Sequence, residues 1–270
     1  GAAAMAAMSA MRVGAGLVTL GVPFSLNPVL ETMVTEAMTV PLAESDQGGL
    51  DESAIETLLS HFEGKRCLAV GPGIGTAPST GRLLSRLIQA SPVPLVIDAD
   101  GLNLIAEDSD ILSKRQSPIV LTPHPGEMAR LSGQSTADIQ SDRIGHARSF
   151  AKQYGVVVVL KGAGTIIAQP DGMVFINPTG NPGMAAGGMG DVLTGIIAGL
   201  VCQGLSIEDA AQSGVYLHGL AADRMARIKA PVGYLATDVM DTLPEALEQM
   251  LNGEDHGPWL DTDPLFYSMD

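Results

Sequence analysis

Apolar and polar positions along the chain follow different rhythms in different stretches, and each rhythm predicts an element. The alanine- and methionine-rich start over 2–13 reads as a packed helix closed by Gly14 and Gly16. Leu17-Val18-Thr19-Leu20 reads as a buried strand, Asn27-Pro28 as a helix start with proline at its first position, and 38–42 as a short strand. Asp51 is placed to cap a helix running to His61. From there a unit recurs: a short apolar strand, a turn rich in glycine or proline, then a helix. Strands are expected at 67–70, 95–97, 119–121 and 156–160, with helices at 79–89 and 136–154.

Buried strands alternating with helices imply a largely parallel sheet covered on both faces. The rhythm changes at 165–168 and 173–176, which flank the hairpin turn Asp171-Gly172 and predict an antiparallel edge. Three helices should follow, over 191–202, 208–228 and 238–251. The expected fold class is α/β, with a mostly parallel central sheet between helix layers. No linker rich in Ser, Gly or Pro divides the chain, and Asp46-Gln47-Gly48-Gly49 reads as a surface loop. Residues 1–252 are therefore expected to form one domain, with 253–270 an acidic tail.

The chain has 270 residues, 46% of them hydrophobic, enough to bury a sizeable core. Its net charge of −15 argues against non-specific binding to nucleic acid or to an anionic membrane. An anionic ligand remains compatible with that charge if backbone N–H groups hold it. Cys67 and Cys202 lie in apolar runs and are too few for a disulfide framework, which points to a reducing compartment, the cytoplasm. No stretch has the length and apolarity of a membrane span. The apolar start lacks the basic leading region of a signal peptide, because Arg12 follows it.

In open α/β sheets, ligands bind where strands end and helices begin. The segment 177–193, Asn-Pro-Thr-Gly-Asn-Pro-Gly-Met-Ala-Ala-Gly-Gly-Met-Gly-Asp-Val-Leu, places five glycines before an apolar helix. Glycines let successive N–H groups face one concavity, and a helix start adds its free N–H groups and positive dipole end. This makes an anion hole that needs no basic side chain. Asp191, in the first helical turn, reads either as a helix-end stabiliser worth ~0.3–1 kcal/mol or as a catalytic base beside a phosphate. The dipole alone would lower its pKa.

The other turns read as follows. Lys161, followed by Gly162-Ala163-Gly164-Thr165, can reach a phosphate or a ribose, or be a solvated lysine beside a turn. His124 lies between two prolines, either as a ligand group or as a hydrogen-bonded loop residue. Glu127 is placed to cap the next helix or to order a magnesium-bound water. Gly71-Pro72-Gly73-Ile74-Gly75 allows close approach of a substrate, and Asp98, Asp100 and Asn103 offer contacts to hydroxyls or helix caps. No Cys/His set has zinc spacing, and neither a Gly-x-x-x-x-Gly-Lys-[Ser/Thr] loop nor a Gly-x-Ser-x-Gly elbow is present.

The ordered set of turns resembles the ADP-dependent NAD(P)H-hydrate dehydratases of the ribokinase-like superfamily. Its members are Arg12-Val13-Gly14-Ala15-Gly16-Leu17-Val18-Thr19, the glycine turn at 71–75, Asp98-Ala99-Asp100-Gly101-Leu102-Asn103, Leu121-Thr122-Pro123-His124-Pro125-Gly126-Glu127, the lysine-glycine turn from Leu160 to Thr165, and 177–193. The resemblance runs from Gly1 to about Leu251. It implies a ribokinase-like three-layer α/β/α fold. It also implies a repair reaction in which the S epimer of hydrated NADH or NADPH is dehydrated while ADP becomes AMP and phosphate, with Mg2+ as cofactor. The route implied is phosphorylation of the ring hydroxyl, then loss of phosphate. By position, Asp191 is the catalytic residue at the substrate hydroxyl, and Ala2, Gly73 and His124 are further substrate contacts. Lys161, Gly162, Ala163, Gly164 and Thr165 are nucleotide contacts of the ADP-using bacterial and archaeal type. Asn181, Pro182, Gly183, Met184, Ala185, Ala186, Gly187, Gly188, Met189 and Gly190 form the nucleotide-phosphate loop, and Glu127 reaches a metal through water.

Ala186 and Met189 stand where the family carries hydroxylated residues, which leaves the phosphate contacts there to backbone donors. The resemblance further implies a homotetramer, a strand and a glycine-serine turn before Gly1, and an epimerase domain or partner. Three rival readings stay open: an ATP-dependent kinase of a vitamin precursor such as hydroxyethylthiazole or a pyrimidine alcohol, a nucleotide-binding protein without turnover, and a structural α/β domain with ordinary loops that binds no nucleotide.

Overall fold

A computed structural model describes residues 1–253. Except for Gly253, the expected acidic tail lies outside the described residues. The chain opens with α1 (Ala2–Arg12), β1 (Thr19–Pro23), α2 (Asn27–Met33) and β2 (Met38–Leu42). It continues through α3 (Ile55–Ser60), β3 (Leu68–Val70), α4 (Pro78–Ala90), β4 (Leu95–Ile97), α5 (Asp100–Ile105) and β5 (Ile119–Leu121). Then come α6 (Pro125–Ser132), α7 (Thr136–Ser141), α8 (Arg143–Tyr154), β6 (Val157–Leu160), β7 (Ile166–Ala168) and β8 (Val174–Ile176). Three helices end the described chain: α9 (Met189–Cys202), α10 (Ile207–Ile228) and α11 (Ala236–Asn252). None of the described helices is long and apolar enough to cross a membrane.

β3 to β8 form one six-stranded sheet in sequence order, parallel from β3 to β6 and antiparallel at β6–β7 and β7–β8. Side chains alternate between its two faces, as the period of a strand requires. Val96, Val120, Val157 and Val159 pack with α9, α10 and α11. Leu95, Ile97, Ile119, Leu121, Val158 and Leu160 pack with α4, α5, α6 and α8. The expected three layers are present, and burial on both faces explains why β4, β5 and β6 are unbroken aliphatic runs. Each such fully buried Val, Leu or Ile contributes about 1.5–3 kcal/mol relative to exposure. In α4 the buried positions Thr80, Leu83, Leu84, Leu87 and Ile88 recur at helical spacing and form one stripe.

The structure adds to the expected plan and corrects parts of it. β1 and β2 pair in parallel as a separate two-stranded sheet and do not extend the larger one. A cavity of about 670 Å³ separates the two sheets, lined by Ala3, Ala7, Leu20, Leu68 and Leu84 among others. The first strand begins at Thr19, two residues later than the apolar run suggests, and Leu17 is exposed. The helix expected from Asp51 starts with a 3-10 turn over Glu52–Ala54, where the Asp51 side chain accepts from Ser53 N. The helix expected over 136–154 is two, because the Asp142 side chain takes the Gly145 N–H at 2.8 Å and starts α8 afresh. The hairpin at Asp171-Gly172 is as expected, with Gly172 at φ 94°.

Candidate active site

The C-terminal ends of β3 to β6 lie along one edge of the sheet, and the start of α9 returns to that edge. Asp98, just after β4, is 1% exposed. Its Oδ1 accepts from Lys161 Nζ at 2.8 Å and its Oδ2 from Thr194 Oγ1 at 2.9 Å. A single carboxylate therefore ties together the ends of β4 and β6 and the first turns of α9. Lys161 Nζ also lies 3.8 Å from Glu127 Oε2. Removing one partner of such a buried pair costs ~3–5 kcal/mol, because the other charge stays buried.

α9 begins after Gly188, whose φ of 89° needs glycine. Its first backbone bond is Val192 N to Gly188 O, and the N–H groups of Gly187 to Asp191 meet no acceptor among the described residues. A Cβ on Gly190 would sit 3.1 Å from Lys161 Nζ and 3.4 Å from Asp98 Oδ2, so the bare backbone leaves the space above Lys161 open. Ala185, Ala186 and Gly187 are exposed along the loop. Met189 points the other way, into the apolar layer, so the residue at this position offers the site only its backbone.

The Asn181 side chain shapes this loop from within. Its Oδ1 accepts from Gly183 N at 3.0 Å and from Tyr234 Oη at 2.6 Å, while its Nδ2 donates to Asp223 Oδ1 at 2.8 Å. Asp223 Oδ2 takes the Gly180 N–H at 2.8 Å. Burial pushes the Tyr234 hydroxyl up to about 12. Pro182–Met184 form a 3-10 turn between these anchors.

Asp191 is in the first turn of α9, and its pKa is raised, contrary to the dipole expectation. Burial is the larger cause and the Asp98 charge the next; Lys161 pulls the other way. Desolvation and a like charge thus outweigh the nearby Lys161 charge, and the carboxylate is a stronger base than a solvated one.

His124 and Glu127 form a reciprocal cap at the start of α6. His124 Nδ1 accepts from Gly126 N at 3.0 Å and Glu127 N at 3.3 Å, and Glu127 Oε2 accepts from His124 N at 2.7 Å. Because Nδ1 accepts, the ring proton sits on Nε2, which lies 3.5 Å from Glu127 Oε1. Glu127 is 6% exposed, whereas His124 is exposed. Ala2 and Gly73 are neighbours, since a Cβ on Gly73 would lie 3.8 Å from that of Ala2. Gly71 is held by close approach, because a Cβ there would fall 1.9 Å from Asp98 O. Asp100 Oδ2 accepts from Gly75 N at 3.0 Å and Asn103 Oδ1 from Arg130 Nε at 2.9 Å. The lysine turn joins the edge through Lys161 N, which donates to Pro123 O at 2.8 Å.

The sequence reading overlooked Thr194, Asp223, Tyr234 and His218. His218 on α10 is buried, its Nε2 meets no partner among the described residues, and burial with Lys161 lowers its pKa to about 4. The available signal was a polar residue inside an apolar helical stripe: Thr194 in α9, and His218 and Asp223 in α10.

A mostly parallel sheet between helix layers, with a glycine-rich turn and an acidic helix start over its strand ends, defines a ribokinase-like α/β protein. The family model described as NAD(P)H-hydrate dehydratase matches residues 1–245, and the chain belongs to that family. It is 48% identical over 250 residues to a bifunctional NAD(P)H-hydrate repair enzyme from Moorella thermoacetica, covering 93% of this chain and 47% of that one. It is 32% identical over 255 residues to an ADP-dependent (S)-NAD(P)H-hydrate dehydratase from Xanthomonas campestris, covering 94% of this chain and 86% of that one. The structure is similar to that of an ADP/ATP-dependent NAD(P)H-hydrate dehydratase from Bacillus subtilis co-crystallised with ATP and Mg2+. The TM-score is 0.77 at 31% identity, covering 92% of this chain and 84% of that one. The chain spans about half the length of the first curated relatives it matches.

Proposed function

We propose that this chain dehydrates the S epimer of hydrated NADH or NADPH, using ADP and releasing AMP and phosphate. The observation that carries the reading is the start of α9. There, among the described residues, the N–H groups from Gly187 to Asp191 meet no acceptor, and the Asp191 carboxylate in the same turn is made more basic by burial and by the Asp98 charge. Asp191 takes the proton of the ring hydroxyl as that oxygen attacks the β-phosphorus of ADP. The bond to the bridging oxygen breaks, and AMP leaves. The phosphate ester then loses phosphate from one ring carbon and a proton from its neighbour, restoring the dihydronicotinamide. The loop over 181–190 holds the transferred phosphoryl group through its backbone, with Lys161 beneath and the turn over 161–165 as a second nucleotide contact. Ala2, Gly73 and His124 line the dinucleotide side.

Among the described residues no three acidic, imidazole or thiol groups gather as a metal cage. Mg2+ would arrive with the ADP phosphates, and the Glu127 carboxylate would reach it through water. What such an ion would supply there is neutralisation of the phosphate oxygens. An epimerase domain or partner would supply the S epimer. The exposed apolar residues Phe24, Val29 and Met33 give a surface for the homotetramer, and the free cysteines suit the cytoplasm.

The test mixes purified chain with hydrated NADH and Mg2+, supplying ADP and ATP separately, and follows recovery of dihydronicotinamide absorbance. ADP-dependent recovery supports the reading; accumulation of a stable phosphorylated alcohol would indicate a kinase. Asp191→Asn should lower kcat by about 10²–10⁴-fold while ADP still binds.

A further inference from the structure

Arg143, the first residue of α8, is a cation that nothing above uses. Its side chain turns under the 161–165 turn. Nη1 donates to Ala163 O at 2.6 Å, and Nη2 donates to Leu160 O at 3.2 Å and Lys161 O at 3.4 Å. Among the described residues no carboxylate pairs with it, although the chain carries a net charge of −15. Its Nε is buried without a partner. A partly buried arginine commonly meets a carboxylate fork to fork; here it collects three carbonyls of one turn instead.

The consequence follows from peptide geometry. In a trans peptide the C=O and the following N–H point in opposite directions. With the carbonyls of Leu160, Lys161 and Ala163 drawn towards Arg143, the N–H groups of Lys161, Gly162 and Gly164 face away from it. The first donates to Pro123 O. Those of Gly162 and Gly164 have no acceptor among the described residues, and both residues are exposed. Gly162 at φ 144° and Gly164 at φ 60° adopt backbone angles that favour glycine. A Cβ on Gly162 would also fall 2.8 Å from Arg143 Nη2.

We propose that Arg143 is a positioning residue for the nucleotide: it holds the 161–165 turn carbonyl-inward, so that the Gly162 and Gly164 N–H groups receive acceptor atoms of ADP. This rests on the reading that the turn contacts ADP. Lysine cannot replace it, because one ammonium does not span three carbonyls.

The experiment compares wild type, Arg143→Met and Arg143→Lys by ADP titration calorimetry and by steady-state rates with each substrate varied. Both variants should raise Kd and KM for ADP by about tenfold or more. kcat should stay within about threefold and KM for the hydrated dinucleotide should not change. Millimolar guanidinium should restore part of the ADP affinity to Arg143→Met, which a merely structural role would not allow. Wild-type ADP affinity in a folded variant overturns the proposal, as does a parallel loss in kcat and both KM values. If Arg143→Met fails to fold, Arg143→Lys decides by the same criteria. Failure of the wild-type protein to bind ADP would overturn the functional reading itself, and this proposal with it.

Discussion

Gly195 lies where α9 crosses α1, and a methyl group there has a calculable effect. A Cβ at this position would fall 2.1 Å from Ala6 O, 2.8 Å from Ala6 C and 2.8 Å from Ser9 Cβ. Ordinary heavy-atom contacts are about 3.5 Å, so the helices must separate by more than about 1 Å. The obstructing atoms are mostly backbone and have no rotamer to give. Overpacking of this kind costs ~1–3 kcal/mol, and the helix preference of Ala over Gly returns ~1 kcal/mol. Gly195→Ala should therefore lose up to about 2 kcal/mol, a fall in Tm of up to roughly 8 °C at this chain length. Because α9 carries Asp191, a displacement of about 1 Å should also lower kcat by up to ~100-fold. The control is Gly81→Ala in α4, whose nearest neighbour would be Leu104 Cδ2 at 3.4 Å; it should keep activity and gain up to ~1 kcal/mol. Calorimetry and dehydration rates on the three proteins decide. Wild-type Tm and kcat in Gly195→Ala would refute the claim that these backbones touch.

Further outcomes follow from charge. Asp191 must be ionised to act, so the rate should fall as pH drops through its raised pKa; Asp98→Asn removes one cause and should move that acid limb to lower pH, read from kcat/KM profiles. Folding raises the Asp191 pKa, so its contribution to stability is present below the unfolded value of 3.8 and lost as pH rises through the folded one. Asp191→Asn should therefore unfold at a higher temperature than wild type at neutral pH. His218 behaves oppositely: its pKa falls from 6.5 to about 4, so stability present above 6.5 is lost as pH falls towards 4. His218→Gln should flatten that part of a plot of denaturant midpoint against pH.

The strands over 95–97 and 119–121 were legible residue for residue, because an aliphatic run bounded by Gly, Pro or Asp has little else to become. The hairpin and the start of α9 were legible from their glycines. The break at Asp142 was not, since a capping side chain inside an amphipathic stretch leaves the apolar period intact. The separate β1–β2 sheet was also hidden, because periodicity reports burial and not the pairing partner. At the site, Asp98 was one of several strand-end candidates, but its partners lie 63 and 96 residues away. The direction of the Asp191 shift was misread because the helix end is local, whereas burial and the Asp98 charge arise only on folding.

The order of strands has a consequence for how the chain matures. In the larger sheet each strand pairs with its immediate predecessor, so the ladder can lengthen as the polypeptide is made. α9 breaks that progression by running back from the β8 edge to lie across β3 and β4. Until it docks, the aliphatic face of β4 at Val96 that it covers stays wet. Catalytic competence is then among the last properties acquired, and an intermediate stalled before this step would expose the sticky surface that chaperones bind.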